Sequence, residues 1–147
     1  MDEIKRKELC EAARQAALNS YSPYSNFRVG AAVLGDVGVY VGTNIENASF
    51  GLTICAERTA LASAIIRGDR NIHAIAIACI DASPESGLSE KLPCGACRQW
   101  MAELSPKAEI IICGVEKVFS IDDFLPMPFK LEQDVDSQPH NNRVGAD

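Results

Sequence analysis

Residues 55–80 read CAERTALASAIIRGDRNIHAIAIACI, and the pattern changes half-way along. From Cys55 to Arg67, Ala, Leu and Ile fall at the spacing of a buried helix, with Gly68 placed as its C-cap. From Ile72 to Ile80 almost every residue is apolar, as in a central strand covered on both faces. A buried helix feeding a two-sided strand belongs to the α/β class.

The alternation continues downstream. Asp81 to Leu92 is a loop rich in Ser, Pro and Gly, and Gly95 to Leu104 is a second helix stopped by Ser105-Pro106. Ala108 to Cys113 reads as another buried strand, Val115 to Ser120 as a short last one, and Ile121 to Leu125 as a single helical turn. Upstream, residues 3–19 are rich in helix formers, with Ile4, Leu9, Ala12, Ala13 and Ala16 as the expected apolar face. Ser20-Tyr21-Ser22-Pro23 ends that helix with turn chemistry. Arg28–Leu34 and Val39–Ile45 flank Gly35-Asp36-Val37-Gly38 as a hairpin. A helix, a hairpin and then alternating helix and strand imply a mixed sheet with helices on both faces.

With 147 residues, the chain is long enough to bury about 68–70% of its unfolded surface without disulfides. Residues 1–132 are expected to form one domain, and the polar stretch 133–147 a flexible tail. The net charge of −6 argues against a nucleic-acid partner, which calls for a basic face. No run approaches the ~20 apolar residues of a membrane span, and Met1 to Lys7 is not a secretory leader. A cytoplasmic, reducing location follows as the expectation, in which Cys-x-x-Cys serves metal or redox chemistry rather than a disulfide framework. Cys10, Cys79 and Cys113, on an expected helix face and in expected strands, read as inert buried thiols.

Chemistry concentrates at two helix starts, Cys55-Ala56-Glu57-Arg58 and Pro93-Cys94-Gly95-Ala96-Cys97-Arg98. Cys94 and Cys97, three apart, share a helical face. Together with Cys55 they offer three thiolates, which helix N-termini stabilise. Three protein ligands with an open fourth position are the pattern of catalytic zinc. Glu57 is the proton acceptor such a site needs, while Arg58 and Arg98 are placed to offset the negative charge. A Cys-x-x-Cys alone also suits a closed structural zinc site or a redox dithiol, and Glu57 alone a solvated helix surface.

The combination resembles a known family. Cys-Ala-Glu followed by Pro-Cys-x-x-Cys is the signature of zinc nucleobase deaminases, with Cys in the place of His. Residues 5–130 resemble the small homotetrameric cytidine deaminases through Ser22-Pro23-Tyr24-Ser25-Asn26-Phe27-Arg28-Val29-Gly30, Asn44-Ile45-Glu46-Asn47-Ala48 and the two cysteine motifs. The resemblance implies a three-layer α/β/α fold with a mixed five-stranded sheet and one Zn²⁺ per subunit on Cys55, Cys94 and Cys97. It also implies hydrolytic deamination of cytidine and 2′-deoxycytidine in pyrimidine salvage, with attack at C4 and Glu57 as proton shuttle. Phe27 is then expected to stack on the base, Asn44 and Glu46 to bind the ribose 3′-hydroxyl, and the Ala48 backbone to read the base edge. Arg58 is expected to donate to the sulfurs. Phe129 is expected to reach a neighbouring subunit's site, in a homotetramer with shared active sites. Rival readings are a deaminase of modified cytosine nucleosides, a polynucleotide deaminase and a non-catalytic zinc module, the last of which has no need of Glu57.

Overall fold

The computed structural model describes residues 1–132; the expected tail 133–147 lies outside them. Five strands form one sheet in the order β2-β1-β3-β4-β5. They are β1 (Val29–Gly35), β2 (Val39–Thr43), β3 (Ile72–Cys79), β4 (Glu109–Ile112) and β5 (Val118–Phe119). Three helices cover it: α1 (Glu3–Ala17), α2 (Ala56–Ile66) and α3 (Gly95–Leu104). Only β3 and β4 pair in parallel, because α3 lies between them and supplies the crossover that a parallel pair requires. The sheet is therefore mixed, with helices on both faces.

Side-chain size alternates along β3 and sorts the two cores. Ile75 and Ile77 face α2 and α3, together with Val33, Leu61, Met101, Ile110 and Ile112. Ala74, Ala76 and Ala78 face the other way, towards Leu9, Cys10 and Ala13 of α1. Small residues on that side let α1 pack closely, and the larger aliphatics fill the layer under the two helices that carry the cysteine motifs. Gly68, at φ +84, ends α2 in the left-handed conformation that glycine adopts freely. At Gly42 of β2 any Cβ would run into the α2 backbone at Ala56 and Ala60. That contact seats the start of α2 on the sheet, as does Thr59 Oγ1 donating to Thr43 O at 2.9 Å.

Two expectations need correction here. Ile4 is 72% exposed, because nine residues at about 100° each set it half a turn round from Ala13. The buried stripe of α1 is instead Leu9, Cys10, Ala13, Ala16 and Ala17. Cys10 and Cys113 are not free thiols but a disulfide with a Cα–Cα distance of 5.6 Å across 103 residues. Cys113 follows Ile111 by two residues and so shares its α1-facing side. That brings it within bridging distance of Cys10, a proximity that appears only once α1 is laid on the sheet.

Candidate active site

Cys55 and Cys94 are the N-cap residues of α2 and α3, and neither uses its side chain to cap its helix. Both backbones are extended at that position, so the sulfurs swing away from the helix axes and meet. Cys55 Sγ lies 3.7 Å from Cys94 Sγ, Cys94 Sγ lies 3.6 Å from Cys97 Sγ, and all three fall within 4.8 Å of one another. A tetrahedral zinc with Zn–S of about 2.3 Å spaces its sulfurs roughly 3.8 Å apart, so the three thiols fit the ion. Cys97 is buried, Cys55 half-buried and Cys94 exposed, which leaves the cluster accessible from one side only.

Electrostatics favour deprotonation of Cys55. The Cys55 thiol is held down to about 5, chiefly by the Cys97 thiol donating to it and then by Arg58. Cys97 moves up in consequence, since it is the donor and is buried beside Glu57. Arg58 NH2 lies 3.7 Å from Cys55 Sγ and 3.3 Å from Thr53 O. Its Nε is buried without a partner among the described residues. Arg98 plays no such part, contrary to expectation. Its guanidinium donates to Pro93 O at 2.8 Å and Phe124 O at 3.1 Å and lies over the Phe124 ring.

Glu57 is only 4% exposed, whereas a glutamate in the first turn of a helix is ordinarily solvated. Burial raises its carboxyl to about 7, with the Cys55 charge adding to the rise, while Cys97 and Arg58 act against it. A carboxyl that takes up and releases protons near neutrality is what general acid–base work requires.

Of the other sequence-marked residues, Asn44 and Glu46 lie beside the start of α2, and Phe129 lies away from it. Ile45 and Ile54 exchange backbone hydrogen bonds of 2.9 and 3.0 Å, tying the Asn44–Glu46 segment to the residue before Cys55. Asn44 is nearly saturated: Oδ1 accepts from Ser20 Oγ at 2.5 Å and Val29 N at 2.9 Å, and Nδ2 donates to Phe27 O at 2.8 Å. One Nδ2 hydrogen is left over. Glu46 Oε1 accepts from the backbone N–H groups of Tyr24 and Ser25 at 3.0 and 3.1 Å, leaving Oε2 without a partner among the described residues. Phe27 is half-buried and Ala48 exposed. Phe129 is 71% exposed and lines a separate apolar groove with Ile65, Ile66 and Trp100. That groove runs along the parts of α2 and α3 remote from the cysteines.

Cys79, read from the sequence as an inert thiol, is half-buried, and burial with the added Glu57 charge pushes it up to about 11. Two features escaped the sequence. Ser20 orients the Asn44 amide. Asp81 takes a fork from Arg28, with Nε and NH2 at 2.9 and 2.7 Å. Only the antiparallel register, Val29 against Cys79, brings those last two residues together, and no local pattern announces it.

Residues 3–113 match the cytidine and deoxycytidylate deaminase zinc-binding region. The chain is 44% identical over 135 residues to a cytidine deaminase of Halalkalibacterium halodurans, covering 88% of this chain and 97% of that one. Its fold matches a crystal structure of cytidine deaminase from Burkholderia pseudomallei with TM-score 0.72 and 43% identity, over 88% of this chain and all of the other. It also matches that from Mycobacterium tuberculosis with TM-score 0.73 and 36% identity, over 85% and 97% of the two chains. With three thiols spaced for one zinc ion and a buried carboxyl beside them, the chain belongs to the cytidine and deoxycytidylate deaminase family of zinc-binding hydrolases.

Proposed function

We propose that the protein deaminates cytidine and 2′-deoxycytidine hydrolytically in pyrimidine salvage, with Glu57 as its catalytic acid and base and Cys55, Cys94 and Cys97 as ligands of one Zn²⁺. The observation that carries this reading is the buried Glu57 carboxyl, 4% exposed, beside three thiols within 4.8 Å of one another. When bound, zinc supplies Lewis acidity, bringing the pKa of a water ligand to about 7. Glu57 takes a proton from the attacking water and delivers it to N3 of the ring. It then carries the second proton to the amino group at C4, which departs as ammonia and leaves a carbonyl. Arg58 offsets the charge of the sulfurs throughout. Phe27 stacks on the pyrimidine, and the backbone at Ala48 reads the base edge.

Hydrogen-bond accounting gives the sugar contact a direction. With its oxygen already occupied, Asn44 offers a donor, and the unpartnered Glu46 Oε2 offers an acceptor. A 3′-hydroxyl satisfies both, while a free base satisfies neither.

The apolar groove of about 920 Å³ along α2 and α3 supports assembly into a homotetramer with shared sites. Ile66, Phe129 and Leu131 on its wall are 83%, 71% and 78% exposed, a patch that calls for a partner. Phe129 would then complete a neighbour's site. Residues 1–132 form the catalytic domain in this reading. The placement is cytoplasmic in this reading, in keeping with the free thiols of Cys55, Cys79, Cys94 and Cys97, although Cys10 and Cys113 are bridged. No described helix is long and apolar enough to cross a membrane.

The test is chromatography of cytidine, deoxycytidine, cytosine and CMP after incubation with the protein and with Glu57→Gln. Conversion of the two nucleosides alone is expected, falling by about 10²–10⁴-fold in the variant. Turnover of cytosine, or undiminished turnover by the variant, contradicts the assignment. Sedimentation then reports the oligomer.

A further inference from the structure

Phe27 sits on an awkward piece of chain. It follows Asn26, at φ +55, and precedes β1, so the sheet ladder does not hold it directly. Its own N–H goes to Ser25 Oγ at 3.0 Å, a short-range contact with an exposed turn. Its carbonyl accepts from Asn44. What fixes the next residue comes from far along the chain. Asp81 Oδ2 accepts from Arg28 N at 2.8 Å and from Arg28 Nε at 2.9 Å, and Oδ1 accepts from Arg28 NH2 at 2.7 Å. One carboxylate thus clamps both the backbone and the side chain of Arg28. Asp81 also opens the loop that ends in Pro93-Cys94, so the clamp joins the Phe27 segment to the approach to the cysteine cluster.

We propose that Asp81 is a positioning residue for substrate binding, acting through Arg28 to hold the Phe27 ring where the pyrimidine stacks. An ordinary surface ion pair contributes little, because water screens it and two long side chains lose freedom. This one differs in geometry: it is bidentate, and a backbone N–H adds a third bond to the same carboxylate. The Asp81 carboxyl is accordingly held down to about 2 by Arg28. The inference rests on the reading of Phe27 as the base platform.

A double-mutant cycle tests it, using kcat and KM for cytidine in the wild type, Asp81→Ala, Phe27→Ala and the double variant, with zinc content and melting temperature for each. Asp81→Ala is expected to raise KM on the order of tenfold with kcat nearly unchanged, since uniform binding is lost rather than chemistry. Zinc content stays at the wild-type level. In the Phe27→Ala background the same substitution is expected to change KM by less than about twofold, the mark of two residues acting as one. Asp81→Asn, which keeps an oxygen for Arg28, should fall between, and it serves in place of Asp81→Ala should that variant not fold. An unchanged KM in Asp81→Ala, or equal effects in both backgrounds, overturns the inference while leaving Phe27 as the platform. An unchanged KM in Phe27→Ala itself overturns both.

Discussion

On the α2–α3 face of the sheet, Cys55, Cys94 and Cys97 stay unlinked with their sulfurs within 4.8 Å of one another. On the α1 face, Cys10 and Cys113 are joined directly. Sequence treats all five as the same residue type, and backbone geometry separates them. Two N-cap positions and one first-turn position splay three sulfurs around a point that an ion can fill, and the Cys97 thiol and Arg58 favour the thiolate form of Cys55. Across the sheet, a helix residue and a strand-end residue face each other at a Cα separation of 5.6 Å, within the range for a disulfide. One set is arranged for chemistry and the other for mechanical closure.

The largest expected effect is on the first set alone. Dialysis against phenanthroline should abolish turnover, and added Zn²⁺ should restore it. With ligand at a thousandfold excess over Kd, binding stabilises a fold by about 4 kcal/mol, so the melting temperature should fall with the metal. Atomic absorption should report one zinc per chain beforehand. If the metal-free protein turned cytidine over at the original rate, the distinction between the two cysteine sets would collapse.

Reduction sharpens the contrast from the other side. Dithiothreitol, or Cys10→Ser with Cys113→Ser, should cost about 2–4 kcal/mol of stability in denaturant melts. Rates at saturating substrate should stay as they were, because the bridge lies behind the sheet. Alkylation of the native protein, followed by mass spectrometry before and after reduction, counts the thiols that each treatment exposes. A loss of zinc on mild reduction would show that the two faces are coupled.

The smallest effect belongs to the Arg28–Asp81 clamp. Its carboxyl sits at about 2 in the folded chain against an ordinary 3.8. The folded state therefore binds fewer protons than the unfolded one between those values. The clamp's contribution is complete above the unfolded value and is lost as pH falls through the folded one. Urea melts of the wild type and Asp81→Asn should differ at neutral pH and converge as pH falls towards 2. A gap that persisted there would remove the charge from the account.

Much of this was legible along the chain. The limits of α3 and the end of α2 follow from local signals: Pro93 just before α3, Ser105-Pro106 as its stop, and Gly68 just past the last turn of α2. Strand β3 is legible because its two faces are both apolar. Ile4 misled because an apolar residue near a helix start looks core-facing until its angle about the axis is counted. Arg98 misled because it adjoins a ligand cysteine in sequence, yet the helix turns its side chain towards the Phe124 carbonyl. Both failures concern direction rather than composition.

The sequence by itself determined the α/β alternation, the three thiols and one carboxyl at two helix starts, and the motifs that mark the family. These depend on spacing within a turn or a strand, a few residues at a time, and local backbone geometry is enough to set them. Tertiary structure alone decided that Glu57 is buried with its carboxyl near neutrality, that Cys10 meets Cys113 across 103 residues, and that Asp81 grips Arg28. Each needs two distant segments brought together, since burial, charge pairing and bond formation depend on distance in space, and separation along the chain does not encode it.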